Sequence, residues 1–395
     1  MDLFDKCNSF TRANQARAEG WYPYFKEVQS GAGPEVIVDG REMIMIGSNN
    51  YLGLTQHPLV IEAAVNAIKK YGSGCTGSRF LNGTLDIHTE LEHRLAQFVK
   101  AEAALVFSTG FQTNLGTVAT IIGKRDIIYA DRGNHASLVD GCRLSYGRYL
   151  KYKHGDIEDL ERLLEANQAE AGKLIISDGV FSMEGDIVDL DSMMKLARKY
   201  NTRLMIDDAH SVGVLGKNGR GTAELFGYTN DDIDLVMGTF SKSFASIGGF
   251  ISGKNNVIDY IKHHARSFIF SASMPPASVA AVIAVLDIIE NEPEHLEKLW
   301  KNVNKMKKAF DEMGYNTGKS KTPIIPIHIG EEMATFKFWK SLSEHGVFAN
   351  PSIAPAVPPG QGIIRTSYMA THTDEILDRV IDIFYKLGKE FKLIP

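Results

Sequence analysis

The hydrophobic positions of the chain fall into two rhythms. From Pro58 onward, Val60, Ala63, Ala64 and Ile68 keep helical spacing behind a His57-Pro58 start. A second helix is expected from Asp86. Short uninterrupted apolar runs then appear at Ala103–Phe107, Ile127–Ala130, Leu174–Ser177, Leu204–Ile206 and Leu235–Met237. Helical patterns separate most of them, as at Asp156–Asn167 and Asp189–Tyr200. Runs of this kind predict a buried, mostly parallel sheet with helices on its faces, an α/β fold. Ahead of it, residues 1–18 read as a polar helix, and Glu35–Val38 and Met43–Ile46 flank Asp39-Gly40, a hairpin signal. Beyond Pro275-Pro276 come two long helical patterns reaching about Met313, strands near Ile324–Ile329 and Ile363–Ser367, and a last helix from Thr373. The expected division is an N-terminal arm over 1–50, a large domain over 51–285 and a smaller α+β domain over 286–395.

Length supports more than one unit, because 395 residues exceed what one core usually organises. The formal net charge of −5 provides no basic field for nucleic acid, so anions must meet local clusters. The three cysteines, Cys7, Cys75 and Cys142, form no CxxC pair, which suits a reducing compartment. The start, Met-Asp-Leu-Phe-Asp-Lys, lacks the basic and apolar segments of a signal peptide, and no apolar run is long enough for a membrane span. A cytoplasmic protein is expected.

Two motif matches fail on inspection. Gly72-Ser-Gly-Cys-Thr-Gly77 spells a dinucleotide fingerprint, but a helix and not a strand runs into it, and Ser78-Arg79 rules out a phosphate loop. It reads instead as a flexible loop bearing Arg79 and Asn82. His88 and His93 stand at i and i+5, which do not share a helix face, so no metal is expected there.

Three other segments place chemistry at strand ends. Arg203-Leu-Met-Ile-Asp-Asp-Ala-His210 carries Asp207, Asp208 and His210 at the carboxyl end of a strand, where ligands bind in open α/β sheets. An Asp-Asp pair can equally cap the following turn. Asp234-Leu-Val-Met-Gly-Thr-Phe-Ser-Lys242 ends likewise on Thr239, Ser241 and Lys242, ahead of a small-residue run, Ala245–Gly249. Phe107-Ser-Thr-Gly-Phe-Gln112 joins a strand to a helix start, and free N–H groups at such a start favour an anion. A strand-end lysine, a strand-end aspartate and a phosphate seat are the parts that a pyridoxal 5'-phosphate site requires. Lys242 would bond the cofactor, and Asp207 would keep its ring nitrogen protonated. His210 would reach its phenolic oxygen. Opposite charges about 4 Å apart at an effective dielectric of 20 attract by about 4 kcal/mol, so a neutral residue at 207 would forfeit most of that hold.

The segments Thr239-Phe-Ser-Lys242, Asp207-Asp-Ala-His210, Ser48-Asn-Asn-Tyr-Leu-Gly-Leu54 and Ser108-Thr-Gly-Phe111 resemble the α-oxoamine synthases. These are fold-type I pyridoxal-phosphate enzymes, aspartate-aminotransferase-like, which condense an amino acid with an acyl-CoA and release carbon dioxide. The similarity runs from about residue 20 to the C-terminus. It implies a large domain with a mostly parallel seven-stranded sheet and a smaller C-terminal α+β domain. It also implies that His135 stacks on the cofactor and helps hold the substrate carboxylate, which Arg365 binds. Gly110, Phe111, Thr239 and Ser241 would form the phosphate seat, joined by Ser271 of a partner subunit in a homodimer. Asn49 and Ser182 would line the substrate side. Ala272 stands where several relatives carry a threonine, which thins that cross-subunit contact.

Within this family, Gly77–His88, Phe181–Asp186, Ala265–Ser273 and Met369–Thr373 are most similar to the bacterial branch that joins L-serine to a long-chain acyl-CoA, the first step of sphingolipid synthesis. Other branches use glycine with acetyl-CoA or succinyl-CoA, or alanine with pimeloyl-CoA. An aminotransferase would share the fold and the lysine, whereas a silent regulatory subunit would lack Lys242. Phe268, Phe270 and Ile353–Val357 are candidates for an acyl tunnel, and Lys262 and Arg266 for the coenzyme A phosphates.

Overall fold

The computed structural model describes residues 2–167 and 170–395. The chain begins with two short helices, α1 (Asp5–Asn8) and α2 (Arg12–Ala18). The single helix expected over 1–18, whose first residue lies outside the described ones, is broken at Ser9–Thr11. Neither piece buries a residue, so no packing spans the break. The hairpin forms as β1 (Glu35–Val38) and β2 (Arg41–Met45), turning at Asp39-Gly40.

Next come α3 (Pro58–Tyr71) and α4 (Asp86–Val99), then β3 (Ala103–Phe107), α5 (Gly110–Ile121), β4 (Ile127–Asp131), α6 (Ala136–Leu144) and β5 (Arg148–Tyr152). The alternation continues through α7 (Ile157–Glu165), β6 (Lys173–Asp178), α8 (Leu190–Lys199), β7 (Arg203–Asp207), α9 (Thr222–Leu225), β8 (Leu235–Thr239) and β9 (Gly249–Gly253). The helices α10 (Asn255–His264), α11 (Arg266–Ile269), α12 (Pro276–Asn291) and α13 (Glu294–Met313) follow. Asp156 and Asp189 cap α7 and α8 by accepting the N–H groups of Asp159 and Ser192.

Strands β3 to β9 form one seven-stranded sheet in the order β3-β9-β8-β7-β6-β4-β5. Only β9 runs against its neighbours. Adjacent residues on a strand serve opposite faces. Ile128 and Ile176 pack with residues of α5, α6 and α10, while Tyr129 and Ile175 pack with residues of α7 and α8. Two of these strands are absent from the apolar reading. β5 is an edge strand that leaves Arg148 and Lys151 exposed, so it carries no continuous run. β9 begins and ends on glycine and lies fully buried between β3 and β8. Its Phe250 ring occupies the space of a side chain at Gly238, where a Cβ would stand 2.3 Å from it.

The Gly72–Thr84 stretch is anchored rather than loose. Arg79 is buried and forks onto Glu92 at 2.8 and 3.0 Å. His88, also buried, accepts the Leu85 N–H and bonds the Met274 carbonyl at 2.9 Å.

The C-terminal part contains β10 (Ile324–Gly330), α14 (Glu332–Glu344), β11 (Val347–Phe348), β12 (Asn350–Ser352), β13 (Gly362–Ser367) and α15 (Asp374–Glu390). β13 lies antiparallel between β10 and β12, and β11 pairs with β2 of the N-terminal hairpin. One apolar cluster runs from Ile44 and Tyr51 through Phe244 and Val282 to Phe310 and Phe384. That cluster holds β13, and with it Arg365, against the large sheet's side of the molecule. Among the described residues no helix is long and apolar enough to cross a membrane.

Candidate active site

Parallel pairing sets the carboxyl ends of β6, β7 and β8 side by side, with Asp178 opposite Asp207 and Asp207 opposite Met237. A cavity of about 380 Å3 opens there, between those strand ends and the start of α5. Asp207, His210, Lys242, Thr239 and Ser241 line it, together with His135, Gly110, Phe111 and Ser182.

Asp207 is buried, and both of its oxygens are held. Oδ2 accepts from Asn114 Nδ2 at 2.6 Å, and Oδ1 accepts from the Ala209 N–H at 2.9 Å. The Ala209 contact caps the turn after β7, while the neighbouring Asp208 receives the N–H and hydroxyl of Thr222 at 2.8 and 2.5 Å. Burial pushes the Asp208 carboxyl up to about 6.

Lys242 sits on the tight turn from β8 to β9. Phe240 accepts from Ser246 and donates to Gly248, and Ala245 takes a φ of +52°. Lys242 keeps some surface open to the cavity. Desolvation nevertheless brings its ammonium down to about 8, partly opposed by Asp207 and then Asp178 and aided by Arg365. An amine that titrates near 8 holds a far larger neutral fraction at physiological pH than an ordinary lysine, and the neutral form is the one that imine chemistry and proton abstraction use.

At the phosphate seat, Thr109 caps α5 by accepting the Gln112 N–H at 3.1 Å. The first N–H groups of a helix have no intrahelical acceptor, which leaves those of Gly110 and Phe111 for a ligand. Gly110 is required by close approach, since a Cβ there would stand 2.7 Å from Thr239 Oγ1. Thr239 and Ser241 pair through their hydroxyls at 3.0 Å. Ser271 and Ala272 do not line the cavity. Ser271 accepts from Gln112 at 3.1 Å, and the Ala272 carbonyl accepts from Ser108, so both stand beside the seat's own loop.

His135 caps α6, its Nδ1 accepting from the Ser137 N–H at 3.3 Å, and Asp178 receives its backbone N–H. Desolvation lowers its imidazole, with Asp207 opposing and Lys242 reinforcing. His210 is buried and held well below the ordinary histidine range, by desolvation first and then by Lys242 and Arg365. It is therefore neutral. Burial, followed by Asp207, pushes Asp178 well above the usual carboxylate range.

Arg365, from β13, is buried, yet no acidic side chain of the described residues forms an ion pair with it. Its Nε donates to the Ser182 carbonyl at 2.6 Å and a terminal nitrogen to Asn49 Oδ1 at 2.8 Å. A buried guanidinium without an acid is a costly arrangement unless an anionic ligand completes it. Phe268 is core, buried against Phe107, whereas Phe270 is exposed.

Three residues of this network escaped sequence reasoning: Asn114, Asp178 and Tyr51. Asn114 joins Asp207 to Ser137, and Asp178 seats His135. Tyr51 meets His210. Each acts through a partner distant in sequence, and none stands in a pattern that spacing alone reveals.

These residues fit pyridoxal phosphate. The glycine cradle and hydroxyl pair suit a phosphate, the buried Asp207 suits a ring N–H, and Lys242 shares the same cavity.

The chain belongs to the aminotransferase class I and II family, which it matches over residues 41–384. The serine palmitoyltransferase of Sphingobacterium spiritivorum is 50% identical to it over 391 residues, covering 99% of this chain and 98% of that one. The 8-amino-7-oxononanoate synthase of Thermoanaerobacter pseudethanolicus is 43% identical over 384 residues, 97% of each. In three dimensions the chain superposes on a serine palmitoyltransferase solved with a pyridoxal-phosphate internal aldimine, with a TM-score of 0.96, 33% identity and full coverage of both chains.

Proposed function

We propose that this chain is a pyridoxal-phosphate-dependent serine palmitoyltransferase, joining L-serine to palmitoyl-CoA with release of coenzyme A and carbon dioxide to give 3-oxosphinganine. The observation that carries the choice of reaction is the end-to-end likeness to serine palmitoyltransferase, at 50% identity against 43% for the alanine-using synthase. The acid-free Arg365 supports an amino-acid substrate, because its planar fork suits a carboxylate.

The bound cofactor supplies an electron sink that stabilises negative charge at the amino-acid α-carbon. Lys242 would hold it, and the Lys242 amine would take the α-proton of the amino acid as general base. Asp207, oriented by Asn114, holds the proton on the ring nitrogen. His210 bonds the phenolic oxygen. His135 would pack against the cofactor and, with Arg365, would hold the substrate carboxylate. Gly110, Phe111, Thr239 and Ser241 hold the phosphate. Ser271 of a second subunit completes that seat in a homodimer, with Ala272 giving a thinner contact than threonine. A long-chain acyl-CoA is the second substrate, and the product is a sphingolipid precursor made in the cytoplasm.

The test is an absorbance titration of the holoprotein with L-serine, glycine and L-alanine, followed by palmitoyl-CoA. A spectral shift with serine and thiol release on adding palmitoyl-CoA are expected. Turnover with alanine and a short acyl-CoA instead would replace this reading with that of the 8-amino-7-oxononanoate synthases.

A further inference from the structure

A second cluster with chemical potential lies outside the active-site cavity. His57 precedes the first turn of α3, Glu292 follows the last turn of α12, and His295 stands in the first turn of α13. One ligand atom from each lies within 4.8 Å of the other two. His295 Nε2 is 3.2 Å from a Glu292 carboxylate oxygen. That is near the roughly 3.3 Å edge of a tetrahedron built on metal bonds of about 2.0–2.1 Å. The His57 and His295 rings meet edge to face, with centroids 5.9 Å apart.

His57 makes an ordinary explanation insufficient. A His–Glu pair three residues apart, beside a histidine at a helix start, would be unremarkable surface chemistry. But Nδ1 of His57 is buried and has no hydrogen-bond partner among the described residues. A buried polar atom left unpaired costs free energy, and coordination through that nitrogen would satisfy it. The helix ends do not favour the ion on balance, since the carboxyl end of α12 attracts a cation while the amino ends of α3 and α13 oppose one. The ligands therefore decide the matter. Glu292 and His295 also face a surface cavity of about 840 Å3, which leaves room for a water as fourth ligand.

We propose that His57, Glu292 and His295 form a zinc site. Two imidazoles and one carboxylate suit Zn2+ with an open fourth position. The ion would tie the entrance of α3 to the junction where α12, packed on α3, passes into α13, packed on α15. None of the three residues lines the active-site cavity, so the ion would lie apart from the reaction proposed above.

The pyridoxal-phosphate-loaded protein, stripped with a chelator and dialysed against micromolar Zn2+, should retain one zinc per chain by elemental analysis. Its thermal midpoint should rise with zinc. His295→Ala and Glu292→Gln should each weaken retention by at least about tenfold and abolish that rise, while their cofactor absorbance shows that they fold. If His295→Ala does not fold, Glu292→Gln, which keeps size and shape, carries the test alone. No zinc retained by the parent protein, or zinc held equally by parent and variants, overturns the proposal.

Discussion

The Tyr51 hydroxyl lies 2.7 Å from Nδ1 of His210, across 159 residues of chain. Burial pushes the Tyr51 phenol up to about 12, so it stays protonated and donates. The phenol's shorter contact is to His210 Nδ1, with Asn49 Oδ1 at 3.3 Å, and a proton donated along it places the neutral imidazole's own proton on Nε2. That leaves one directed N–H, which would serve the cofactor's phenolic oxygen in the proposed function. Tyr51→Phe removes the lock and leaves a buried nitrogen unpaired, at about 1–3 kcal/mol. Turnover is expected to fall roughly 10- to 100-fold with the cofactor still bound. Unchanged kcat and an unchanged visible spectrum would show that the tautomer is fixed by something else.

Asp207→Asn keeps the size of the side chain but not the charge. The loss of an attraction of about 4 kcal/mol predicts a fall in kcat of about 100- to 1000-fold. Asn114→Ala, which frees only one of the two contacts that orient Asp207, should cost less. The order of the two effects, measured with saturating cofactor, checks the assignment.

The legible part of this protein is the part whose cause is local. β4, β6, β7 and β8 show as apolar runs because they lie inside the sheet, buried on nearly every position. The caps Asp156, Asp189 and Thr373 mark their helices for the same reason, each bonding three residues onward. Asp207 and Lys242 are visible as polar residues ending apolar strands. β5 and β9 are not visible. One is half-exposed at an edge, and the other owes its burial to neighbours brought in by topology. Asn114, Asp178 and Tyr51 are hidden similarly, since each becomes functional only when the fold supplies its partner. The segment Met369–Thr373, read as a family resemblance, proves to be a buried joint: Asn302 donates to both the Met369 and His372 carbonyls.

Arg365→Lys tests the carboxylate assignment. Lysine keeps the charge and loses the fork that engages the Ser182 carbonyl and Asn49 and that would take the substrate carboxylate. KM for L-serine should rise about 10- to 100-fold, with KM for palmitoyl-CoA and cofactor affinity little changed. An equal rise in both KM values would place Arg365 outside the amino-acid subsite.

Lys242 sets a pH dependence for cofactor capture by the stripped protein. Only the neutral amine attacks the aldehyde, and desolvation brings this ammonium down to about 8. The rate of cofactor uptake should climb about tenfold per pH unit below 8 and level off above it. A rate still climbing at pH 10 would mean that Lys242 titrates as an ordinary surface lysine.

His372 predicts how the fold responds to acid. Its Nδ1 accepts the Met369 N–H at 3.0 Å and its Nε2 bonds the Met45 carbonyl at 3.0 Å, so it must be neutral, and burial brings it down to about 4. An unfolded histidine titrates near 6.5. The folded state therefore binds fewer protons between those values, and stability falls as pH drops through that window. The contribution is complete above about 6.5, and about 2 kcal/mol of it disappears between pH 7 and pH 5. His372→Gln should be less stable at pH 7, having lost the joint between β2 and the Met369–Thr373 turn. It should also lose less stability than the parent on going to pH 5, because glutamine does not titrate. Urea midpoints of both proteins at the two pH values measure this. Parallel losses in parent and variant would assign the acid sensitivity to other groups held neutral by burial, His210 among them.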